Sequence, residues 1–275
     1  MNDPILVTGA TGNTGRHVVA ELLGRGHRVR ALTRDPDRAG LPAEVDVVAG
    51  DVTRPADVAA AASGASAAYL VWPLTDAQGV DPVVAELARH LRRVVYLSAT
   101  EARDGGVWGG VERAVEQHLD EWTFLRVSGL AVNTLAWADQ VHRGIVRAPF
   151  GAMRRSLVHE RDVAAVAVRA LVEDGHARRA YAVTGPESIS QVEQVRVIAE
   201  EIGRTAVWEE QPVDEARREL AAEVGEAFAD EILRAWASGV EVPEPVSPDV
   251  ARILGRPALT FRHWARDHRE DFAAR

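Results

Sequence analysis

The sequence predicts an α/β protein with a doubly wound, mostly parallel sheet and a smaller, largely helical cap toward the C-terminal end. Short apolar segments alternate along the first two thirds of the chain with segments whose apolar residues recur at helical spacing. A glycine-rich turn joins the first two of these segments. Strands that alternate with helices in this way form parallel sheets with helices on both faces.

The individual elements follow from these two periods. The first helix carries Val18, Val19, Leu22 and Leu23 on one side and ends at Gly24, and the third has Pro82 in its first turn. The predicted strands are 5–7, 29–33, 45–49, 67–72, 94–98, 122–127 and 180–184. The predicted helices between them are 16–23, 57–62, 81–91, 111–119 and 163–172.

Composition excludes several chemistries. The 275 residues contain no cysteine, and because lysine is also absent all 32 basic side chains are arginine. Thiolate nucleophiles, iron–sulfur clusters and lysine Schiff bases are therefore excluded. The net charge of −9 disfavours nucleic acid, and no apolar run approaches the roughly 20 residues of a membrane span. We expect a cytoplasmic monomer or homodimer that binds a small molecule, with no metal site.

The glycine-rich turn carries the most specific signal. It comprises Thr8, Gly9, Thr11, Gly12, Asn13, Thr14 and Gly15, between the first strand and the first helix. Such a turn places a dinucleotide's pyrophosphate at the helix N-terminus. At the end of the second strand, Thr33 and Arg34 precede Asp35, an order that favours the 2′-phosphate of NADP(H). We expect further cofactor contacts from Asp51, Val52, Trp72, Pro73 and Ser98, which follow or end later strands.

The chain is thereby divided into a Rossmann core over residues 1–184, with a cap insertion near 130–156, and a substrate-cap region over 185–275. The cap is predicted from a change in charge composition and in periodicity after Gly185. Residues 200–244 hold 13 acidic side chains against four arginines, and 213–236 show helical periodicity.

These motifs resemble those of the atypical short-chain dehydrogenase/reductases, and in particular the NmrA-like, NAD(P)H-binding branch. The resemblance rests on the glycine pattern, Thr33-Arg34, Gly50-Asp51-Val52, the strand ending in Ser98 and the segment 122–126, and it covers nearly the whole chain. It implies an NADP(H)-dependent oxidoreductase but no particular substrate. In the wider superfamily a Tyr donates the proton to the carbonyl, and a Lys four residues later lowers the pKa of that Tyr. In this chain Trp108 and Glu112 occupy those two positions.

Three interpretations remain open. In the first, the protein is an NADPH-dependent reductase of a small aromatic or quinone-like carbonyl compound, and the proton comes from Ser98 or Thr100, from water, or from the substrate itself. Asn133 would then donate a hydrogen bond near the reacting oxygen, and Trp108, Trp137 and Phe150 would surround an aromatic substrate. In the second, the protein binds NADP(H) without turnover as a redox sensor or regulator. A weaker third is an isomerase or cyclase that keeps the cofactor as a structural element.

Overall fold

The computed structural model describes residues 3–273, so the outermost residues of the two expected domains, 1–2 and 274–275, lie outside it. Its strands are β1 (Ile5–Thr8), β2 (Val29–Thr33), β3 (Asp46–Ala49), β4 (Ala67–Leu70), β5 (Arg93–Ala99), β6 (Glu121–Val127), β7 (Ile145–Ala148), β8 (Arg154–Arg155), β9 (Arg179–Val183), β10 (Ile189–Ser190) and β11 (Val207–Glu210). Its α-helices are α1 (Gly15–Gly24), α2 (Pro55–Ala62), α3 (Val80–His90), α4 (Gly106–His118), α5 (Ala138–Arg143), α6 (Glu160–Val172), α7 (Gln191–Ile202), α8 (Val213–Val224), α9 (Glu226–Glu241), α10 (Asp249–Leu254), α11 (Phe261–Asp267) and α12 (Arg269–Ala273). Short 3₁₀ helices cover Thr100–Asp104 and Ala131–Trp137.

The chain forms two compact units. The first comprises the described part of Met1–Val127 together with Glu160–Val183 and Asp249–Pro257. The second comprises Ser128–His159, Thr184–Pro248 and the described part of Ala258–Arg275. Each unit therefore collects segments that are far apart in the sequence.

The first unit contains the sheet that the sequence predicts. Within residues 3–273 it has seven strands in the order β3-β2-β1-β4-β5-β6-β9, and every neighbouring pair is parallel. The helices α2, α3 and α4 bury Val58, Leu87 and Val115 in one apolar cluster with the sheet, and α1 packs with α6 apart from that cluster. The expected doubly wound α/β fold is confirmed. Since the strand order reverses between β1 and β4, the crevice outside their carboxyl ends is where such sheets bind ligands.

The second unit mixes helices with short strands. Trp264 and Ile198 are fully buried in its apolar core, which α5, α7 and α11 share. In the described residues of this unit, β7 pairs in parallel with β11 and β8 pairs antiparallel with β10. The helical run expected over 213–236 is divided at Gly225, whose positive φ of 86° ends α8 and starts α9 in a new direction.

One segment lies in a different unit from the one expected. Asp249–Pro257 belongs to the first unit, whereas we expect all of 185–275 in the cap. A carboxylate oxygen of Asp249 accepts the Ala182 N–H of β9 at 2.9 Å, and Arg256 donates to the buried Asp162 of α6 at 2.7 Å. These contacts join residues that are 67 and 94 positions apart, so a local sequence pattern cannot predict them.

No helix among residues 3–273 combines the length and the apolar character that crossing a membrane requires.

Candidate active site

The glycine-rich turn between β1 and α1 is closed by backbone contacts that only glycine allows. Gly9 has φ of +63°, and its carbonyl accepts the Gly12 N–H at 2.9 Å. A Cβ on Gly15 would lie 2.0 Å from that same carbonyl oxygen. Gly15 is therefore required for α1 to begin directly against the turn.

The start of α1 fits a bound phosphate. In this helix, all of which is described, the first turn has no acidic residue, and the N-cap residue Thr14 makes no side-chain cap bond. Gly9, Thr11, Gly12 and Asn13 are exposed in front of it. Unsatisfied N–H groups and the helix dipole both favour an anion at such a terminus. The residues present thus fit the pyrophosphate of a dinucleotide.

Arg16 adds a positive charge to this turn and is absent from the predicted site residues. Its guanidinium donates to the Gly12 carbonyl at 3.3 Å and to Asn13 Oδ1 at 3.0 Å. The signal was available in the sequence, because Arg16 immediately follows the last glycine of the motif.

Two of the three predicted threonines of the turn face inward instead. Thr8 Oγ1 accepts the Val71 N–H at 2.8 Å, and the buried Tyr69 hydroxyl donates to Thr14 Oγ1 at 3.0 Å. Burial raises the pKa of Tyr69 far above its usual value. The Thr8 and Thr14 hydroxyls therefore join β1 and the turn to β4.

The ends of β2 and β3 lie side by side. Asp35 Oδ1 accepts the Arg38 N–H at 3.2 Å, and Thr33 Oγ1 accepts the Asp35 N–H at 3.4 Å, so both side chains serve the local turn. Arg34 is exposed. The pKa of Asp51 is lowered, first by the N–H of Thr53 and further by the charges of Arg34 and Arg54. Arg34 and the ionised Asp51 are therefore electrostatic neighbours.

The predicted residues Val52 and Trp72 belong to the floor of this site. Val52 packs against the main apolar cluster, and Trp72 is buried with its indole N–H donating to the Asp76 carbonyl at 2.7 Å. Trp72 thereby anchors the loop after β4, in which Pro73 is exposed.

Ser98, predicted as a catalytic residue, lies in a buried polar network. It is 1% exposed, and its hydroxyl donates to Glu112 Oε1 at 2.6 Å. Glu112 on α4 is 5% exposed and also receives Arg126 of β6, with Nε to Oε1 at 2.9 Å and Nη2 to Oε2 at 2.5 Å. This bond raises the pKa of Arg126 further. Glu112 and Arg126 are functional candidates that we missed, although a charged residue inside the apolar strand 122–127 signals a buried counter-charge.

Thr100 and Trp108 are the exposed members of this end of the sheet. The Thr100 hydroxyl follows β5 and donates to the Val127 carbonyl at 3.2 Å. Trp108 lies one helical turn before Glu112 on α4 and is 41% exposed. The hydroxyl protons of Ser98 and Thr100 are therefore both directed at protein acceptors, and each oxygen is left as an acceptor.

Asn133, Trp137 and Phe150 lie in the second unit. Asn133 is exposed on the 3₁₀ helix 131–137, and the Trp137 ring meets Trp208 edge to face with centroids 5.6 Å apart. Phe150 is half-buried and has an unusual φ of 60°. Its N–H donates to Glu210 Oε1 at 2.5 Å, and Gln191 donates to its carbonyl at 2.9 Å, which holds this strained backbone in place.

Comparison with known proteins identifies the family. Residues 9–174, more than half of the chain, match the NAD(P)H-binding family. The chain belongs to this NAD(P)H-binding family. The expected relationship to the atypical short-chain dehydrogenase/reductases is confirmed, as are the NAD(P)H cofactor and the expectation of an oxidoreductase.

Two relatives are similar over their whole length. A (4-alkanoyl-5-oxo-2,5-dihydrofuran-3-yl)methyl phosphate reductase of Streptomyces griseus is 37% identical, with 98% of this chain and 99% of that protein covered. An NAD(P)H azoreductase of Xenophilus azovorans is 30% identical, with the same coverage of 98% and 99%. Among solved structures, an NADPH-dependent quinone oxidoreductase of Escherichia coli superposes with a TM-score of 0.80 at 20% identity, covering 96% of this chain and 98% of that one. At 20% identity, the similarity to the quinone oxidoreductase shows a shared fold only.

Proposed function

We propose that this oxidoreductase uses NADPH to reduce a small, electron-poor conjugated acceptor, such as a quinone-like or aromatic carbonyl compound, without a proton donor from the protein. The proposal rests on which residues occupy the positions of the superfamily's Tyr and Lys, and on where the neighbouring hydroxyls donate. Trp108 and Glu112 stand where the superfamily places Tyr and Lys, and the nearby Ser98 and Thr100 hydroxyls donate to Glu112 and Val127.

The missing acid limits which acceptors can react. When bound, the reduced cofactor supplies a hydride. An isolated ketone that receives a hydride becomes an alkoxide, which needs a proton or a strong donor at the moment of transfer. In a conjugated acceptor the two added electrons are spread over several atoms, and water can protonate the resulting anion afterwards. Such an acceptor suits a site in which the Ser98 and Thr100 hydroxyls already donate to other protein groups.

The names of the relatives support this class. They specify an acyl-substituted oxo-dihydrofuran, an azo compound and a quinone, and each of these is a conjugated π system. Trp108 offers an exposed indole face for such a planar group, and the predicted substrate residues Asn133, Trp137 and Phe150 remain proposals for the second unit.

The residues that would hold the cofactor are the exposed Gly9, Thr11, Gly12 and Asn13 of the turn with Arg16, and Arg34 beside Asp51 for the 2′-phosphate. We propose NADPH over NADH on this basis.

A panel of acceptors tests the proposal. We expect NADPH oxidation with menadione, with an azo dye or with an acyl-substituted butenolide, and none with cyclohexanone, the unconjugated control. Turnover of cyclohexanone at a comparable rate would contradict the proposed acceptor class. A regulatory protein that binds the cofactor without turnover would leave NADPH unoxidised across the whole panel.

A further inference from the structure

The buried network of Ser98, Glu112 and Arg126 has no proton-transfer role in the proposed reaction, yet it occupies the carboxyl end of the sheet. Ser98 and Arg126 are register partners on β5 and β6, and Glu112 reaches both from α4. Burying a charge is costly unless it is paired and fully hydrogen-bonded. Such a pair is weak evidence for stability, so a functional reason for its position is worth testing.

Its position points to the nicotinamide half of the cofactor. The pyrophosphate turn follows β1, and Arg34 and Asp51 follow β2 and β3 on one side of the point where the strand order reverses. A dinucleotide spans such a reversal, with its other half outside β4 and β5. Thr100, which is exposed and follows β5, lies at that end.

We propose that Glu112 and Arg126 are positioning residues that hold the carboxyl end of β5 in place for the nicotinamide half of NAD(P)H. Glu112 accepts hydrogen bonds from Ser98 and from Arg126, and it thereby joins β5, β6 and α4. Two residues beyond Ser98, the Thr100 hydroxyl donates to Val127, the residue that follows Arg126. Thr100 thereby presents a lone pair to the carboxamide or ribose donors of the cofactor. The inference rests on cofactor binding and not on the acceptor class.

The test compares two ligands that differ only by the nicotinamide half. Calorimetry gives the Kd of NADPH and of 2′-phospho-ADP-ribose, which lacks the nicotinamide riboside. The double variant Glu112→Met/Arg126→Met removes both charges at similar volume, a replacement that buried ion pairs often tolerate. We expect its Kd for NADPH to rise about tenfold, the loss of one positioned contact, while its Kd for 2′-phospho-ADP-ribose stays within twofold of the unmodified protein.

A matched control uses another ion pair of the first unit, in which the carboxylate is buried and the arginine side chain is 45% exposed. The carboxylate of Asp162 on α6 is 0% exposed and receives Arg256 at 2.7 Å, and neither residue lies on β5, β6 or α4. The variant Asp162→Leu/Arg256→Met should leave both Kd values unchanged. Equal weakening of the two ligands by the Glu112/Arg126 variant, or weakening of neither, would overturn the proposal.

Two smaller changes keep the test decisive if that double variant does not fold. Thr100→Val removes only an exposed hydroxyl, and Ser98→Ala removes one donor to Glu112 while Arg126 still pairs with it. We expect Thr100→Val to weaken NADPH severalfold and 2′-phospho-ADP-ribose not at all, with Ser98→Ala showing the same selectivity at smaller size. Unchanged NADPH affinity in both variants would reject the inference.

Discussion

Arg126 of β6 contacts both carboxylate oxygens of Glu112 on α4, at 2.9 and 2.5 Å, while Ser98 donates to the same carboxylate at 2.6 Å. By the resemblance to the superfamily, we interpret Glu112 as standing at the position of its catalytic lysine. A basic side chain is present beside this position, but it is Arg126 of the neighbouring strand β6, and the carboxylate of Glu112 neutralises its charge. Burial and the charge of Glu112 also raise the pKa of Tyr96, two residues before Ser98, far above its usual value. The Ser98 hydroxyl is therefore engaged with Glu112, and the Tyr96 hydroxyl stays protonated, so neither group readily releases a proton.

The glycine at the start of α1 should be irreplaceable. Gly15→Ala would put a Cβ 2.0 Å from the Gly9 carbonyl oxygen, so the turn must open or α1 must shift. We expect a loss of roughly 2–4 kcal/mol in the free energy of unfolding, measured by urea titration, together with loss of NADPH binding. Gly24→Ala is the control, because nothing lies within 4 Å of its Cβ position. It should be neutral or stabilise by up to about 1 kcal/mol. Equal effects of the two changes would refute the steric argument.

Arg34 should determine the preference for NADPH. Arg34→Ala removes the guanidinium next to Asp51, and we expect the Kd of NADPH to rise about tenfold, the effect of one lost charge-assisted hydrogen bond, while the Kd of NADH hardly changes. Fluorescence titration measures both constants. Arg38→Ala, on the same loop, is the matched control and should leave the ratio as it is. Equal affinity of the unmodified protein for the two cofactors would show that Arg34 has no such role.

Trp108 should act on the acceptor and not on the cofactor. Because its side chain is 41% exposed, Trp108→Ala should fold normally. We expect the KM for menadione to rise about five- to tenfold through the lost aromatic contact, with an unchanged Kd for NADPH. Trp108→Phe keeps an aromatic face and should recover most of the affinity. A change in kcat alone, with KM unaltered, would argue against a binding role.

The capping box at α7 should make part of the stability depend on pH. The Ser190 N–H donates to Glu193 Oε2 at 2.7 Å, and this bond, with the nearby Arg154, lowers the pKa of Glu193 below its ordinary 4.5. A lowered folded-state pKa means that the stabilisation is complete above the unfolded value and is lost as the pH falls through the folded value. Glu193→Gln should therefore cost a few tenths to about 1 kcal/mol at pH 7, allowing for its 40% exposed side chain. The cost should shrink below about pH 4.5; a cost independent of pH would contradict this.

The parallel sheet and the phosphate turn could be predicted because their signals are local. Buried strands such as β1 are continuous apolar runs, and Gly9 to Gly15 form one contiguous motif. The second unit was harder, because β8 and β10 are two residues long and exist only through their mutual pairing. The direction of a hydroxyl is also set by its partners: the sequence offers Ser98 as one of several proton sources, whereas its hydroxyl donates to Glu112, 14 residues away. Chemistry carried by such pairs is invisible to periodicity.

We expect the reduction to need no proton donor from the protein. This expectation is tested by the turnover of menadione with NADPH or with NADPH deuterated at nicotinamide C4, each in H₂O and in D₂O across the neutral pH range. We expect the C4 deuterium to slow turnover, with no further slowing in D₂O and a rate that does not follow a single ionisation. A rate that falls in D₂O, and loses this solvent isotope effect in Thr100→Val, would show that the protein supplies the proton and would contradict this expectation.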